Sequence, residues 1–432
     1  MLYYNLRMKI GDIMTYIEFF NNVAIENVCA CLTDVPQRVI YIGRDTGIIE
    51  SKIKKYKRVF SDRGYSDIEF IPMEVEKDNL ENAVSVLQKI VDTYPDCAFG
   101  ITGGDEIALM AFGIVYERNR DKNIQIHRFN IAHNTICDCD KDGKTVFKTL
   151  PELTVEENIQ LYGGDVLFGD VFSEHTYEWD FNEDFIKDIE NIWNVCKGNV
   201  RLWNTQINVF SAAVKVGTLS EDKLTVIAKK SKIREELNKS NASYKIIRGI
   251  VAYLRKHGLL TDFNETVTEL SLSFKNPQVR RCLVKAGQAL EMKTFLVAKS
   301  LRDENGNKLY NDAVNGVFID WDGRFHNDKE EGIYDTENEI DILLMHGIVP
   351  VFISCKNGIV DADELYKLNT VAYRFGGKYA KKVLVATSIP KDKESGKYLI
   401  QRARDMNIRL IMNVQDFKTD DIYKEKMKNL WR

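Results

Sequence analysis

Residues 337–358 read E-N-E-I-D-I-L-L-M-H-G-I-V-P-V-F-I-S-C-K-N-G, and the fold of the C-terminal part turns on them. Two apolar runs, Ile340–Met345 and Ile348–Ile353, flank His346-Gly347, the pattern of a hairpin between two buried strands. Side chains alternate along a strand, so Glu339 and Asp341 leave one face together, as do Ser354 and Lys356 on the next strand. A loop of Gly347-Ile348 sets Asp341 opposite Ser354 and Glu339 opposite Lys356; a bulge at Pro350 would slip that register by one. A carboxylate pair beside a lysine at the end of an apolar hairpin suits a divalent cation and a phosphate. The competing reading is a strand end whose charges pair with each other and nothing else.

Just upstream, N-P-Q-V-R-R-C-L-V-K-A-G-Q-A-L-E-M-K-T-F-L-V-A-K (276–299) carries Val279, Leu283, Leu290 and Phe295 at helical spacing, and Glu291 lies within it. Downstream, Asp361 with Glu364 three residues on fits a helix capping box, which gives Glu364 a structural role. Val383–Ala386 and Ile408–Met412 read as two more strands completing a small mixed sheet.

The hairpin resembles the core of the PD-(D/E)XK nuclease superfamily, in which an Asp precedes the first apolar run and a (D/E)-x-K triplet ends the second. Asp341 and Ser354-Cys355-Lys356 stand at those places, with Ser354 where the triplet has its acid. The resemblance implies phosphodiester cleavage with Mn²⁺ or Mg²⁺. Asp341 is then the leading metal ligand, with the backbone carbonyl of Cys355 a second. Lys356 would hold the attacking water or steady charge on phosphorus, and Glu291 supplies the helical glutamate. A hydroxyl at Ser354 gives a cation only a neutral dipole, so Glu339, on the same strand face as Asp341, is the candidate substitute ligand.

A chain of 432 residues exceeds one ordinary core, so two or three domains are expected. Its net charge of −4 confines any nucleic-acid surface to a local patch. Cys29, Cys31, Cys97, Cys137, Cys139, Cys196, Cys282 and Cys355 form no C-x-x-C, which favours reduced thiols of a cytoplasmic protein over zinc or disulfides. The histidines show no metal-ligand spacing, and His346 reads as an exposed turn residue. No apolar run approaches the roughly 18 residues of a membrane span, and the start M-L-Y-Y-N-L-R-M-K-I lacks the apolar core of a signal peptide.

Met1–Ile13 has weak periodicity, and Met14 precedes the first strand, T-Y-I-E-F-F. Strands and helices then alternate: a helix over Asn27–Thr33, a strand over Arg38–Gly43, a basic amphipathic helix over Ile48–Arg63, a strand over Ile68–Pro72, a helix over Leu80–Tyr94, a strand over Cys97–Thr102 and a helix over Glu106–Arg118. That alternation predicts a parallel sheet with helices on both faces. Asn123–Ile131 and Asn134–Cys139 read as a closing hairpin. The turn I-T-G-G-D-E (101–106) joins strand to helix through Gly103-Gly104, where backbone N–H groups can meet phosphate. Asp105 reads as the helix N-cap. Asn22, Arg44 and Thr46 follow the other strands, so with Thr102, Gly103 and Gly104 they gather at the carboxyl edge, where open α/β sheets bind ligands.

This half resembles a CARF domain, the Rossmann-like sensor of cyclic oligoadenylates in type III CRISPR defence, whose T-G-G turn matches Thr102-Gly103-Gly104. Asp105-Glu106 stand where many relatives carry Thr-Lys. L-T-V-E-E-N-I-Q-L-Y-G (153–163) is similar to the segment leaving that sensor in single-CARF ancillary nucleases. The pair of resemblances implies a homodimer that shares one cyclic ligand, cyclic tetraadenylate by expectation. The same resemblances imply cleavage of DNA, RNA or both on activation.

Between them, E-H-T-Y-E-W-D-F-N-E-D-F reads as an acidic, aromatic connector. Residues 223–256 carry ten Lys and Arg against two acids, a local charge of +8. The segment 244–260 and the strand-like E-T-V-T-E-L-S-L-S-F (265–274) suggest a small winged helix guiding nucleic acid, with a dimer-forming spacer as the competing reading. The expected class is α/β in three parts: a Rossmann-like CARF domain (14–165), a winged-helix-like connector (166–273) and a PD-(D/E)XK restriction-endonuclease-like domain (274–432). The alternative function is a cyclic-oligoadenylate-responsive nucleic-acid-binding regulator with an inactive nuclease fold.

Overall fold

The computed structural model describes residues 14–130, 135–139, 144–323, 337–390 and 392–431. Met1–Ile13, and the ends Ile131 and Asn134 of the expected hairpin, lie outside the described residues. The chain forms a mixed α/β protein of two compact units, one built mainly from residues up to Asp165 and the other from Val166 onward. Residues 347–349 and 375–378 group with the first. No helix among the described residues is long and apolar enough to cross a membrane.

The first unit is a seven-stranded sheet. Its strands are β1 (Thr15–Phe19), β2 (Arg38–Gly43), β3 (Glu69–Glu74), β4 (Cys97–Gly100), β5 (Ile124–Asn130), β6 (Thr135–Cys139) and β7 (Thr145–Thr149), in the order β3-β2-β1-β4-β5-β6-β7. The first five are mutually parallel. β5, β6 and β7 pair antiparallel, so the expected two-stranded closing hairpin has a third strand. The alternating T-V-F-K-T of β7 is almost wholly exposed, and with no buried face it carries little periodic signal. The crossovers are α1 (Ala24–Asp34), α2 (Thr46–Asp62), α3 (Leu80–Thr93) and α4 (Glu106–Arg118), and α5 (Val155–Tyr162) follows. Ile17, Ile40, Leu87, Phe99 and Phe112 are among the residues filling one face of the sheet. Thr154 and Glu157 form a capping box at the start of α5, and Gly163 ends it at φ 88°.

The strand β8 (Asp165–Val166) spans the boundary, and the second unit goes on with α6 (Glu183–Gly198) and α7 (Val200–Val216). A four-stranded antiparallel sheet follows, in the order β11-β12-β10-β9, from β9 (Thr218–Leu219), β10 (Thr225–Lys229), β11 (Leu260–Glu265) and β12 (Glu269–Phe274). Within it come α8 (Lys230–Lys239) and α9 (Arg248–Lys256). The segment 276–299 is two helices, α10 (Pro277–Val284) and α11 (Gln288–Ser300), broken at Lys285–Gly287. The remaining elements are β13 (Asp312–Asp320), β14 (Glu337–His346), β15 (Val349–Ile359), α12 (Asp363–Gly376), β16 (Lys381–Ser388), α13 (Lys393–Asp405), β17 (Ile408–Met412) and α14 (Asp420–Lys428). Their mixed sheet runs β17-β16-β15-β14-β13-β8, antiparallel at β13–β14 and parallel from β15 to β17. One apolar core, from Phe185 through Phe210, Phe274 and Leu290 to Val351 and Met427, is continuous across this unit.

The hairpin turn is Gly347-Ile348, with Gly347 at φ 60° as a type II′ turn requires at its first central position. His346 is therefore the last residue of β14, not a turn residue. It is half-buried, and its Nδ1 lies 2.6 Å from the carbonyl of Leu309.

Candidate functional site

Both faces of the hairpin are buried, Ile342, Leu344, Val351 and Ile353 on one and Leu343, Met345 and Phe352 on the other, and strand alternation puts Asp341 and Ser354 with the second set. Asp341 Oδ2 accepts a bond from the Cys355 N–H at 2.5 Å and faces the Ser354 hydroxyl at 3.4 Å. Glu291 arrives from α11. That helix is pinned by Lys293 to Glu190 and Asp420, by Thr294 to the Tyr423 hydroxyl at 2.6 Å, and by Gln288 to Asn315 at 3.1 Å. Asn315 in turn donates to the Asp341 carbonyl, so β13 fixes helix and hairpin to one another.

Carboxylate oxygens of Glu291, Glu339 and Asp341 thus lie within 4.8 Å of one another. Glu291 is 2 % exposed, and its Oε2 is buried with no hydrogen-bond partner. Burial first, and the nearby Asp341 second, push its pKa up to about 8. Burial also raises Asp341, against the Cys355 N–H, which favours the ionised form. Three acids on one spot with an orphaned buried oxygen form a donor set that fits a hard cation.

Two residues here were not anticipated as site residues. Lys285, in the break between α10 and α11, pairs with Glu339 and lies 3.6 Å from Glu291. Burial penalises its ammonium, but the two glutamates outweigh that and raise its pKa. Glu364 bonds Lys356 Nζ at 2.8 Å and Lys367 at 3.2 Å. The expected capping box is therefore corrected: Asp361 does cap the turn through the Asp363 N–H, but the Glu364 carboxylate goes to the lysines. Both lysines outweigh burial and hold Glu364 below the ordinary carboxylate range. Lys285 has a signal in sequence, because Lys-Ala-Gly between two helical patterns marks a break. The Lys356–Glu364 pair has none, being a contact across the fold.

In the first unit, a cavity of about 440 Å³ opens at the carboxyl ends of the parallel strands. Asn22, Arg44 and Gly104 line it; Thr46, Thr102 and Gly103 do not. Thr46 is the first residue of α2, and the Thr102 hydroxyl accepts from the Phe129 N–H at 2.8 Å. A β-carbon on Gly103 would lie 2.5 Å from the Phe19 carbonyl oxygen, and one on Gly104, at φ 93°, would lie 2.8 Å from Phe19 Cβ. The glycines are thus needed for the chain to pass the end of β1 at all. Asp105 caps α4 through the Ala108 N–H, as expected, and Asp45 caps α2 through Ile48. Arg44 pairs with Asp105 and lies 3.8 Å from Asp78, while Glu76 completes an acidic rim.

No known family model matches the chain, and no curated protein matches it. Two solved structures share its fold along nearly the whole length. Can2 from Sulfobacillus thermosulfidooxidans, solved with cyclic tetra-adenylate, superposes with a TM-score of 0.63 at 14 % identity over 96 % of this chain and 97 % of that one. Protein VC1899 from Vibrio cholerae gives 0.68 at 15 % identity over 98 % of each chain.

Proposed function

We propose that this protein is a metal-dependent endonuclease of type III CRISPR defence, switched on by a cyclic oligoadenylate. The reading combines a CARF sensor in the first unit, a winged-helix-like connector over 166–273 and a PD-(D/E)XK nuclease over 274–432. The observation that carries it is the convergence of Glu291, Glu339 and Asp341 on the hairpin that ends in Lys356. Those three carboxylates would hold Mn²⁺ or Mg²⁺, which supplies polarisation of the phosphoryl group and acidification of a bound water. Cys355 would contribute its carbonyl, since N–H and C=O of a strand residue leave on the same edge and its N–H already meets Asp341. Ser354 orients Asp341 instead of binding the cation, and Glu339 supplies the charge the triplet lacks. Lys356, held by Glu364, offers its ammonium to the attacking water or to charge developing on phosphorus.

The activator is cyclic tetraadenylate, by the likeness to Can2 and the T-G-G turn. Its phosphates would meet backbone N–H groups near Gly104 and the Arg44 guanidinium. Glu76 and Asp78 are acceptors suited to the amino group of adenine. A cavity of about 440 Å³ lies in the lower part of the range that holds one drug-sized ligand, about 300–1,000 Å³, and a four-nucleotide ring is larger than such a ligand. Two copies of the chain would therefore share one ring as a homodimer. Activation then follows from tighter binding to one dimer arrangement.

The test is an incubation of the protein with Mn²⁺ or Mg²⁺, plasmid DNA and single-stranded RNA, with and without cyclic tetra- and hexaadenylate. Cleavage that requires both metal and ring is expected. Absence of cleavage in every combination would return the chain to the regulator with an inactive nuclease fold.

A further inference from the structure

A second cavity, about 550 Å³, lies in the second unit with Lys285 and Glu339 of the carboxylate cluster on its wall. Arg280 and Arg281, consecutive on α10, both line it and are used differently. Arg281 is committed to the backbone, donating to the carbonyls of Asp170, Val171, Ser173 and His175 at 2.8–3.3 Å. Arg280 is 8 % exposed, and among the described residues its guanidinium has no hydrogen-bond or carboxylate partner. It lies over the Phe172 ring, 4.6 Å from guanidinium carbon to centroid. Burial, with no counter-charge to oppose it, pulls its pKa below the ordinary value.

A guanidinium set into a cavity wall with its Nε buried and unpartnered is unfavourable on its own. Folds accept such a cost where a counter-charge arrives from outside. The planar fork of a guanidinium suits phosphate, while the Glu339 carboxylate on the cavity wall disfavours an anion beside itself. Gly316 leaves the floor open: it lies between the paired positions Asn315–Ile342 and Val317–Ile340, and a β-carbon there would meet nothing within 4 Å. Trp179, stacked on Phe185 with Arg281 over its ring, adds an aromatic side chain to the cavity wall.

We propose that this cavity seats one nucleotide of the nucleic-acid strand, its phosphate on Arg280, next to the phosphodiester presented to the carboxylates. The inference rests on the nuclease reading and adds to it the residue that holds the strand. Arg280 is a positioning residue; no bond is made or broken at it.

Binding without metal separates this proposal from the nuclease reading itself. The full chain in chelator is titrated into a fluorescently labelled DNA oligonucleotide, with anisotropy read over a salt series, and compared with Arg280→Met and Arg280→Lys. Arg280→Met should weaken binding about tenfold and make the salt slope shallower by about one. Its melting temperature should be unchanged or higher, because an unpaired buried charge is gone. Arg280→Lys, which keeps the charge but loses the fork, should fall between, and it carries the test if the Met variant does not fold. Wild-type affinity and slope in the folded variants would overturn the proposal. So would adenosine monophosphate that binds the wild type but not Arg280→Met while oligonucleotide binding is untouched, since the cavity would then serve free nucleotides. A wild type that binds through Arg280 yet cleaves nothing refutes the nuclease reading and leaves this one standing.

Discussion

Both the cavity at the strand ends of the first unit and the cluster on the hairpin of the second are rich in carboxylates, but their acids are committed differently. In the first, Asp45 and Asp105 cap α2 and α4, and Arg44 leans on Asp105. Those charges are satisfied by the fold, so the cavity presents backbone and acceptors at fixed places. In the second, Glu291 and Glu339 share Lys285 beside Asp341, and one oxygen of Glu291 has no partner. Like charges gathered under burial raise one another's pKa values and store free energy that an arriving cation releases. The first arrangement suits recognition and the second suits chemistry.

The sharpest way to break that contrast is to remove the stored charge. Asp341→Asn should reduce metal-dependent cleavage on the order of a thousandfold, several kcal/mol of lost charge stabilisation. Glu339→Gln should cost nearly as much if it replaces the acid missing at Ser354. A fully active Glu339→Gln beside a dead Asp341→Asn would make Glu339 a strand-end charge only.

The next effect lies in the first cavity and should leave the second site alone. Arg44→Ala should weaken cyclic tetraadenylate binding roughly tenfold to a hundredfold, the scale of one or two charge-assisted hydrogen bonds. Mn²⁺ binding, read by paramagnetic resonance, should not change. Gly103→Leu is a poorer probe, because the new side chain meets the Phe19 carbonyl and should lower the melting temperature as well.

How far each region was legible follows the same division. Strands, crossover helices and the caps at Asp45 and Asp105 are local, and alternation, glycine pairs and Asp at a helix start reveal them. The hairpin was legible for the same reason, and the Ser354 hydroxyl lies 3.4 Å from Asp341 Oδ2. What sequence concealed are contacts between distant segments: Lys285 on Glu339, Glu364 on Lys356, and Asn315 holding helix to strand. Thr102 and Gly103 were read as ligand groups from the T-G-G pattern alone; the Thr102 hydroxyl accepts from the Phe129 N–H, and Gly103 passes the Phe19 carbonyl, contacts that the pattern does not show.

A smaller effect sharpens the account of stored charge. Glu291 is protonated in the folded protein up to about pH 8. Its contribution to stability is complete below the ordinary carboxylate range and is lost as pH rises toward 8. A cation must displace that proton, so Mn²⁺ affinity should rise with pH between about 6.5 and 8, by at most tenfold per unit, and level off above. In Lys285→Met the competing ammonium is gone, and affinity above pH 8 should exceed that of the wild type by about tenfold. Equal affinities across that range would mean that Lys285 does not occupy the cation's place.

The least effect concerns the basic stretch that precedes the site, where the same difference between committed and free charge applies. Lys230 is committed: its ammonium bonds Glu265 at 2.8 Å and the Thr266 carbonyl, and it lies against the Tyr244 ring. Lys229 and Lys232 are exposed, at the end of β10 and the start of α8. If this surface guides a nucleic-acid strand, Lys229→Gln with Lys232→Gln should reduce the salt slope of oligonucleotide binding by up to two, with an affinity loss of only a few fold near physiological salt. Lys230→Gln should leave the slope unchanged and lower the melting temperature instead, because Glu265, held below the ordinary carboxylate range by Lys230 against the effect of burial, would lose its counter-charge. A slope unmoved by the double change would make the stretch a spacer whose lysines only face water. A slope moved by Lys230→Gln would mean that its ion pair opens when the strand arrives.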